Sequence, residues 1–107
     1  MDNKLIQYQT IVGGILKEMS TRIAVNKPHK KKHLIINAEL TEYMLVSLGR
    51  SGNQYDYTVL VHLELKKDKV YIYEENIDPS LYERLTDKGI PEADILPVYM
   101  PEHEYAW

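Results

Sequence analysis

Hydrophobic and polar residues alternate along residues 55–75, which read YDYTVLVHLELKKDKVYIYEE. A period of two is typical of β-strands with one buried side. With Lys67 and Asp68 as a two-residue turn, the pattern predicts a β-hairpin. Its predicted cross-strand pairs are Leu65 with Val70, Leu63 with Ile72, Val61 with Glu74, His62 with Tyr73 and Glu64 with Tyr71. The predicted core face carries Val61, Leu63, Leu65, Val70 and Ile72, and the second face carries Thr58, Leu60, His62, Glu64, Tyr71, Tyr73 and Glu75.

Residues 3–20 follow a different period, with apolar side chains every three or four positions. This spacing predicts an amphipathic helix whose apolar stripe is Leu5, Tyr8, Ile11, Val12, Ile15, Leu16 and Met19. Gly13 and Gly14 fall in mid-helix, where each costs about 1 kcal/mol relative to alanine. We interpret them as positions where the helix packs closely on the sheet, with a kink as the alternative.

Two shorter strands are predicted at residues 33–38 and 43–49, joined by a turn within residues 39–42. A loop over residues 49–54 would connect the second of them to the hairpin. Pairing Leu48 with Tyr55, Val46 with Tyr57 and Met44 with Val59 continues the predicted core face. The same register adds Tyr43 and Leu45 to the second face. The result is a four-stranded antiparallel meander.

After the hairpin, Asp78 and Pro79 are a helix-start signal, and Lys88-Gly89 is a stop signal. Residues 90–95 predict one more short helical turn, from which Ile95 and Leu96 pack back. The predicted fold class is therefore α+β: an N-terminal helix, a four-stranded antiparallel meander and one or two short C-terminal helices.

Composition narrows the classes of function. The 107 residues include no cysteine, and the net charge is −3. The missing cysteines exclude a disulfide scaffold and fit a cytoplasmic protein. We also expect no secretory signal, because the first residues do not have the pattern of a signal peptide. The acidic balance disfavours nucleic acid as the main partner and leaves DNA contact indirect or weak. We also expect no membrane partner, because no apolar run reaches the length of a span.

Several segments together resemble a known family. These are the opening helix, residues 43–49 with their final glycine, residues 61–66 (VHLELK), residues 69–72 (KVYI) and residues 85–95 with the motif GIPEADI. The chain resembles the XisI-like proteins, called excision controlling factors of the fdxN element, as one domain over residues 1–107. It departs from that family at Arg50, where the family has tryptophan, and at Lys67-Asp68, where the family turn is Asp-Gly. We interpret Tyr105-Ala106 as similar to part of the family's longer C-terminal segment.

The resemblance implies an accessory, non-catalytic protein of programmed DNA excision in filamentous cyanobacteria. In that system a separate recombinase exchanges the strands, and XisI acts together with XisH, which resembles nuclease-fold proteins. A XisH-like protein is therefore the expected partner.

The residues themselves offer little catalytic chemistry. His62 and Glu64 share one strand face, where a cross-strand or interface contact is a simpler role than acid–base catalysis. The four histidines, His29, His33, His62 and His103, lack the spacing of zinc motifs, and no phosphate or dinucleotide fingerprint occurs. We expect no metal and no cofactor.

The second face is the predicted functional surface, because tyrosine is favoured at protein interfaces. Its candidate partner-binding residues are His62, Tyr71, Tyr73, Tyr43 and Leu60. We expect self-association or partner docking there, with burial under a helix as the alternative. Two other functions remain open: a DNA-binding module that uses Lys27, Lys30, Lys31 and Lys32, and a small-ligand binder or enzyme at His62 and Glu64.

Overall fold

A computed structural model describes residues 3–22, 31–76 and 81–98. Its elements, in chain order, are helix α1 (Asn3–Thr21), strands β1 (Lys31–Ile36), β2 (Glu42–Ser51), β3 (Gln54–Lys66) and β4 (Lys69–Glu75), helix α2 (Leu81–Asp87), a 3-10 helix (Glu92–Asp94) and strand β5 (Ile95–Pro97). The predicted α+β class with an N-terminal helix is confirmed. The predicted helix start at Asp78-Pro79 lies outside the described residues.

The sheet has five strands in the order β1-β2-β3-β4-β5, so the predicted four-stranded antiparallel meander is present, but the predicted number of strands is wrong by one. The first four strands are antiparallel, whereas β5 runs parallel to β4, with Val70 opposite Ile95 and Ile72 opposite Pro97. The chain returns through α2 and the 3-10 helix, and such a crossover brings the next strand in parallel. Strand β5 was not predicted, because its three residues are too few to show an alternating pattern of apolar and polar side chains.

Helix α1 packs its predicted apolar stripe against one face of this sheet. Tyr8, Val12, Ile15, Leu16 and Met19 are buried there together with Val61, Leu63, Leu65, Val70 and Ile72. The glycine interpretation is wrong, because a Cβ atom added at Gly13 or Gly14 would meet no atom within 4 Å. Neither glycine brings the helix closer to the sheet.

The β3–β4 hairpin confirms the predicted turn and three of the five predicted cross-strand pairs, those from Leu65 to Leu63. Lys67 and Asp68 have φ angles of 54° and 60°, and Leu63 lies opposite Ile72. Beyond that pair a bulge shifts the register, so that His62 pairs with Glu74 and Val61 with Glu75. Tyr73 is the extra residue on β4.

The predicted register of β2 with β3 is wrong by two residues. Gly52 has a φ angle of +62°, and a two-residue turn at positions 52–53 lets both strands run to Ser51 and Gln54. Leu48 therefore pairs with Tyr57 and Val46 with Val59. A second bulge at Leu60 then places Leu45 opposite Val61 and Tyr43 opposite Leu63, both on the core face.

The C-terminal helical segment ends as predicted. Gly89 has a φ angle of +109°; its N–H donates to the Thr86 carbonyl, and the Ile90 N–H donates to the Leu85 carbonyl, each at 3.1 Å. This is the paired bonding of a Schellman motif, with Ile90 and Leu85 both buried. The helical turn predicted within residues 90–95 is the 3-10 helix.

Candidate functional site

The face of the sheet turned away from α1 carries the candidate site. Residues that lie directly opposite each other on neighbouring strands share a face. Ile35 pairs with Met44, Met44 with His62, Glu42 with Glu64 and Glu64 with Tyr71. The histidine face comprises these six residues and Tyr73: Ile35, Glu42, Met44, His62, Glu64, Tyr71 and Tyr73.

His62 is held from two sides. Its Nε2 atom lies 2.9 Å from a carboxylate oxygen of Glu42 on β2. Its ring lies 5.1 Å from the Tyr73 ring, with an angle of 52° between the planes. The bulge in β4 gives the second contact, since it leaves Tyr73 beside His62 while Glu74 takes the paired position. The imidazole is thereby fixed in orientation.

A second polar pair lies next to the first. The Tyr73 hydroxyl donates to Glu64 at 2.7 Å, and burial together with this hydrogen bond raises the pKa of Tyr73 to about 12. Tyr73 therefore stays protonated and acts as a donor near neutral pH. Lys66 lies 3.8 Å from Glu64 and 5.0 Å from the centre of the Tyr71 ring.

Within residues 3–22, 31–76 and 81–98, these groups lie on an open surface rather than in a deep cleft. A shallow cavity of about 170 Å³ beside His62 is lined by Ile35, Ile36, Asn37, Glu42, Met44 and His62. Ligand pockets usually measure about 300–1,000 Å³. The geometry therefore suits contact with another surface better than enclosure of a small substrate.

Three of the five predicted contact residues meet on this face, and two do not. His62, Tyr71 and Tyr73 are half-buried neighbours, as the hairpin pattern predicts. Tyr43 is only 2% exposed in the core, because the bulge at Leu60 adds one residue to β3 and so places Tyr43 opposite Leu63 on the α1 side of the sheet. Leu60 lies at the β3 bulge and packs against the core. The predicted placement of Tyr43 on the second face is wrong, whereas Leu60 is half-buried at the bulge.

The predicted basic segment is described only in part, since Lys27 and Lys30 lie outside the described residues. Lys31 and Lys32 begin the edge strand β1, two residues earlier than the predicted strand start. The Lys32 ammonium group donates to the Met19 carbonyl at 3.3 Å, near the C-terminal end of α1. Lys32 therefore points to the helix side, whereas Lys31 is exposed.

Metal ligation finds no support among the described residues. No three His, Asp or Glu side chains within residues 3–22, 31–76 and 81–98 converge on one point. His33 lies opposite Val46, two positions along β1 from Ile35, and is exposed. His29 and His103 lie outside the described ranges.

Sequence reasoning missed Glu42 and Asp94. Glu42 contacts His62 only because β2 and β3 pair in the register observed here. Asp94 is a buried carboxylate that contacts Tyr8, Lys4 and Lys69. The sequence signal that could have identified Asp94 is its position directly before the apolar pair Ile95-Leu96, within the motif GIPEADI.

Comparison with known proteins gives a consistent result. The sequence model of the XisI protein family matches residues 1–106. A search of curated proteins finds no match. Of the described residues, none belong to a helix long and apolar enough to cross a membrane.

Two solved structures share the fold. A XisI-like protein from Anabaena variabilis ATCC 29413 is 24% identical, with a TM-score of 0.79 over 90% of this chain and 87% of that one. The fdxN element excision controlling factor XisI from the same organism is 20% identical, with a TM-score of 0.72 over 95% of this chain and 99% of that one. At these identities the likeness establishes the fold.

Proposed function

Because the chain belongs to the XisI family, we propose that it is a regulatory protein of DNA excision, like the fdxN element excision controlling factor. In this proposal it catalyses no step itself and acts by binding another protein. The proposed partner is a XisH-like protein with a nuclease-like fold. Strand cleavage and joining are then left to other proteins.

The pairing of polar groups on the histidine face is the observation that supports a contact role. Glu42 fixes His62, and Glu64 fixes Tyr73, before any partner binds. Side chains already held in place lose less conformational entropy on binding. Tyrosine presents an apolar ring and a polar tip, the combination that is enriched at protein interfaces.

The same geometry argues against an enzyme or a small-ligand binder at His62 and Glu64. An acid–base pair must converge on a substrate held in a cavity. His62 and Glu64 are engaged by different partners, Glu42 and Tyr73, on an open sheet surface. The cavity beside His62 is smaller than those that usually enclose a ligand.

Co-purification tests this proposal. The full chain with an affinity tag is co-expressed with the XisH-like protein of the same organism, as wild type and as a Tyr71→Ala/Tyr73→Ala double variant. We expect the wild type to retain the partner and the double variant to retain at least about tenfold less, since truncated aromatic anchors cost about 1–2 kcal/mol each or more.

Two variants serve as matched controls. Tyr73→Phe keeps the ring and loses only the hydroxyl, so partner retention falls by less than in the double variant. Ile6→Ala removes an apolar side chain that is 52% exposed on α1, and it leaves retention unchanged. Equal retention by wild type and double variant would contradict the proposed surface. A wild-type mass of two chains that falls to one in the double variant would identify a second copy as the occupant.

A further inference from the structure

The paired ends of β2 and β3 form a hairpin arm, which we define as residues 46–51 and 54–59. Strand β1 reaches this arm only as far as Leu48, where it begins with Lys31. Strand β4 pairs with β3 only from Val61 onward. Among the described residues, the last part of the arm is therefore a two-stranded ribbon whose outer edges pair with no further strand.

Two tyrosines of this arm are more exposed than the other large apolar or aromatic side chains described. Tyr55 is 75% exposed and Tyr57 is 62% exposed. They are two positions apart on one strand, so both project from the same face, about 7 Å apart along β3. Sequence reasoning placed Tyr57 opposite Val46 on the core face, and the observed register exposes it instead.

Positive charge accompanies the two rings. Arg50 lies opposite Tyr55, with its guanidinium carbon 5.5 Å from the ring centre, and its Nε donates to the Gly52 carbonyl at 3.3 Å. Lys31 pairs with Leu48, which pairs with Tyr57, so Lys31 is exposed on the same face.

Negative charge lies on the other side of the arm. Asp56 is its single acidic residue, and it pairs with Gly49 on the opposite face. A chain of net charge −3 therefore presents two cations beside two exposed aromatic rings at this place. A basic surface next to open aromatic rings is complementary to a single strand of nucleic acid, whose phosphates are anionic and whose base faces can be unstacked.

We propose that the hairpin arm binds single-stranded nucleic acid. Tyr55 and Tyr57 each stack on a base, while Arg50 and Lys31 contact the phosphate backbone. Duplex DNA is a poorer ligand, because its bases are stacked on each other and offer no free face to the rings. This site is separate from the histidine face and stands whether or not a protein binds there.

Fluorescence anisotropy of a labelled oligothymidine of about 12 nucleotides tests the proposal with the full chain, at about 50 mM and about 200 mM salt. We expect Tyr55→Ala/Tyr57→Ala to weaken binding about 30-fold or more, since stacking contributes about 1–3 kcal/mol per base. Tyr55→Phe/Tyr57→Phe keeps the rings and stays within about threefold of wild type. A duplex of the same length binds more weakly than the single strand.

The salt dependence of binding tests the role of the charged residues. Lys31→Ala/Arg50→Ala lowers the slope of log affinity against log salt by about 1.4, because each phosphate contact contributes about 0.7 for a single strand. Lys17→Ala/Lys88→Ala removes the same charge from exposed positions outside the arm and leaves the slope unchanged.

Three results would overturn the proposal. The first is wild-type affinity for the single strand in Tyr55→Ala/Tyr57→Ala. The second is a slope of log affinity against log salt that falls equally in Lys31→Ala/Arg50→Ala and in Lys17→Ala/Lys88→Ala. The third is a wild-type chain that is dimeric without nucleic acid and monomeric as Tyr55→Ala/Tyr57→Ala, which would make the arm a self-association surface. Each variant changes exposed side chains, and circular dichroism checks that it is folded.

Discussion

Asp94 is a buried carboxylate that joins three parts of the fold. It accepts a hydrogen bond from the Tyr8 hydroxyl of α1, lies 2.9 Å from the Lys69 ammonium group at the start of β4, and lies 3.0 Å from that of Lys4. The hydrogen bonds from Tyr8 and Lys69 hold the pKa of Asp94 well below its usual value of 3.8. The charge therefore has partners on both sides, which a buried carboxylate requires.

We expect Asp94→Asn to lower the free energy of unfolding by about 2–3 kcal/mol near neutral pH, because it leaves a buried amide against two ammonium groups. A carboxyl group with a depressed folded-state pKa stabilises the protein above its unfolded pKa and loses this effect as the pH falls below it. The difference in the free energy of unfolding between wild type and Asp94→Asn therefore becomes smaller below pH 3.8.

Urea unfolding of both proteins at about pH 7 and about pH 3 measures this gap. Asp87→Asn is the matched control, since it removes an exposed carboxylate at the end of α2. It should change stability by less than about 0.5 kcal/mol. An Asp94→Asn gap of the same size at both pH values would contradict the role of the carboxylate charge.

At the scale of the elements, Gly14 is a position where a substitution can stabilise helix α1. Its position is exposed and open, so an added methyl group meets nothing within 4 Å. Since alanine favours a helix over glycine by about 1 kcal/mol, Gly14→Ala should raise the free energy of unfolding by about that amount. Chemical denaturation measures the change.

Gly89→Ala is the opposing control for this prediction. Gly89 has a φ angle of +109°, which alanine adopts only with strain, so the same substitution there is destabilising. A loss of stability in Gly14→Ala would instead indicate that an assembly or a conformation with close helix packing exists in solution.

The sequence predicted the strands and helices better than it predicted their alignment. Period-two alternation located β3 and β4 because Leu63, Leu65, Val70 and Ile72 are buried at every second position. A bulge leaves no mark in the alternation of apolar and polar residues along the sequence. The extra residues Leu60 and Tyr73 could therefore not be predicted from that alternation.

The same difficulty in predicting strand alignment affected the candidate site. Within one hairpin the neighbours His62 and Tyr73 were predicted, since the short turn fixes the register as far as Leu63 and the bulge beyond it leaves Tyr73 beside His62. Between β2 and β3 the register error hid Glu42 as the partner of His62, and the unpredicted bulge at Leu60 placed Tyr43 on the wrong face. Strand β5 was missed because its three residues depend on the path of α2.

At the scale of the whole molecule, α1 covers one side of the sheet and leaves the other side to carry both proposed surfaces. The histidine face lies where β2, β3 and β4 meet, and the hairpin arm extends from the other end of β2 and β3. A regulatory protein with this layout can bind a protein partner and a single strand at the same time. The two proposals are separable, because Tyr71 and Tyr73 belong to one surface and Tyr55 and Tyr57 to the other.

The frequency of element excision in cells tests the central claim most directly. It is measured as the amount of rejoined DNA junction in a strain whose own copy of this chain is removed and then replaced. We predict that removal changes the frequency, that the wild type restores it, and that Tyr71→Ala/Tyr73→Ala at the same protein level fails to restore it while Ile6→Ala succeeds. An excision frequency that removal leaves unchanged would contradict the regulatory function, and full restoration by the double variant would contradict the histidine face as its contact surface.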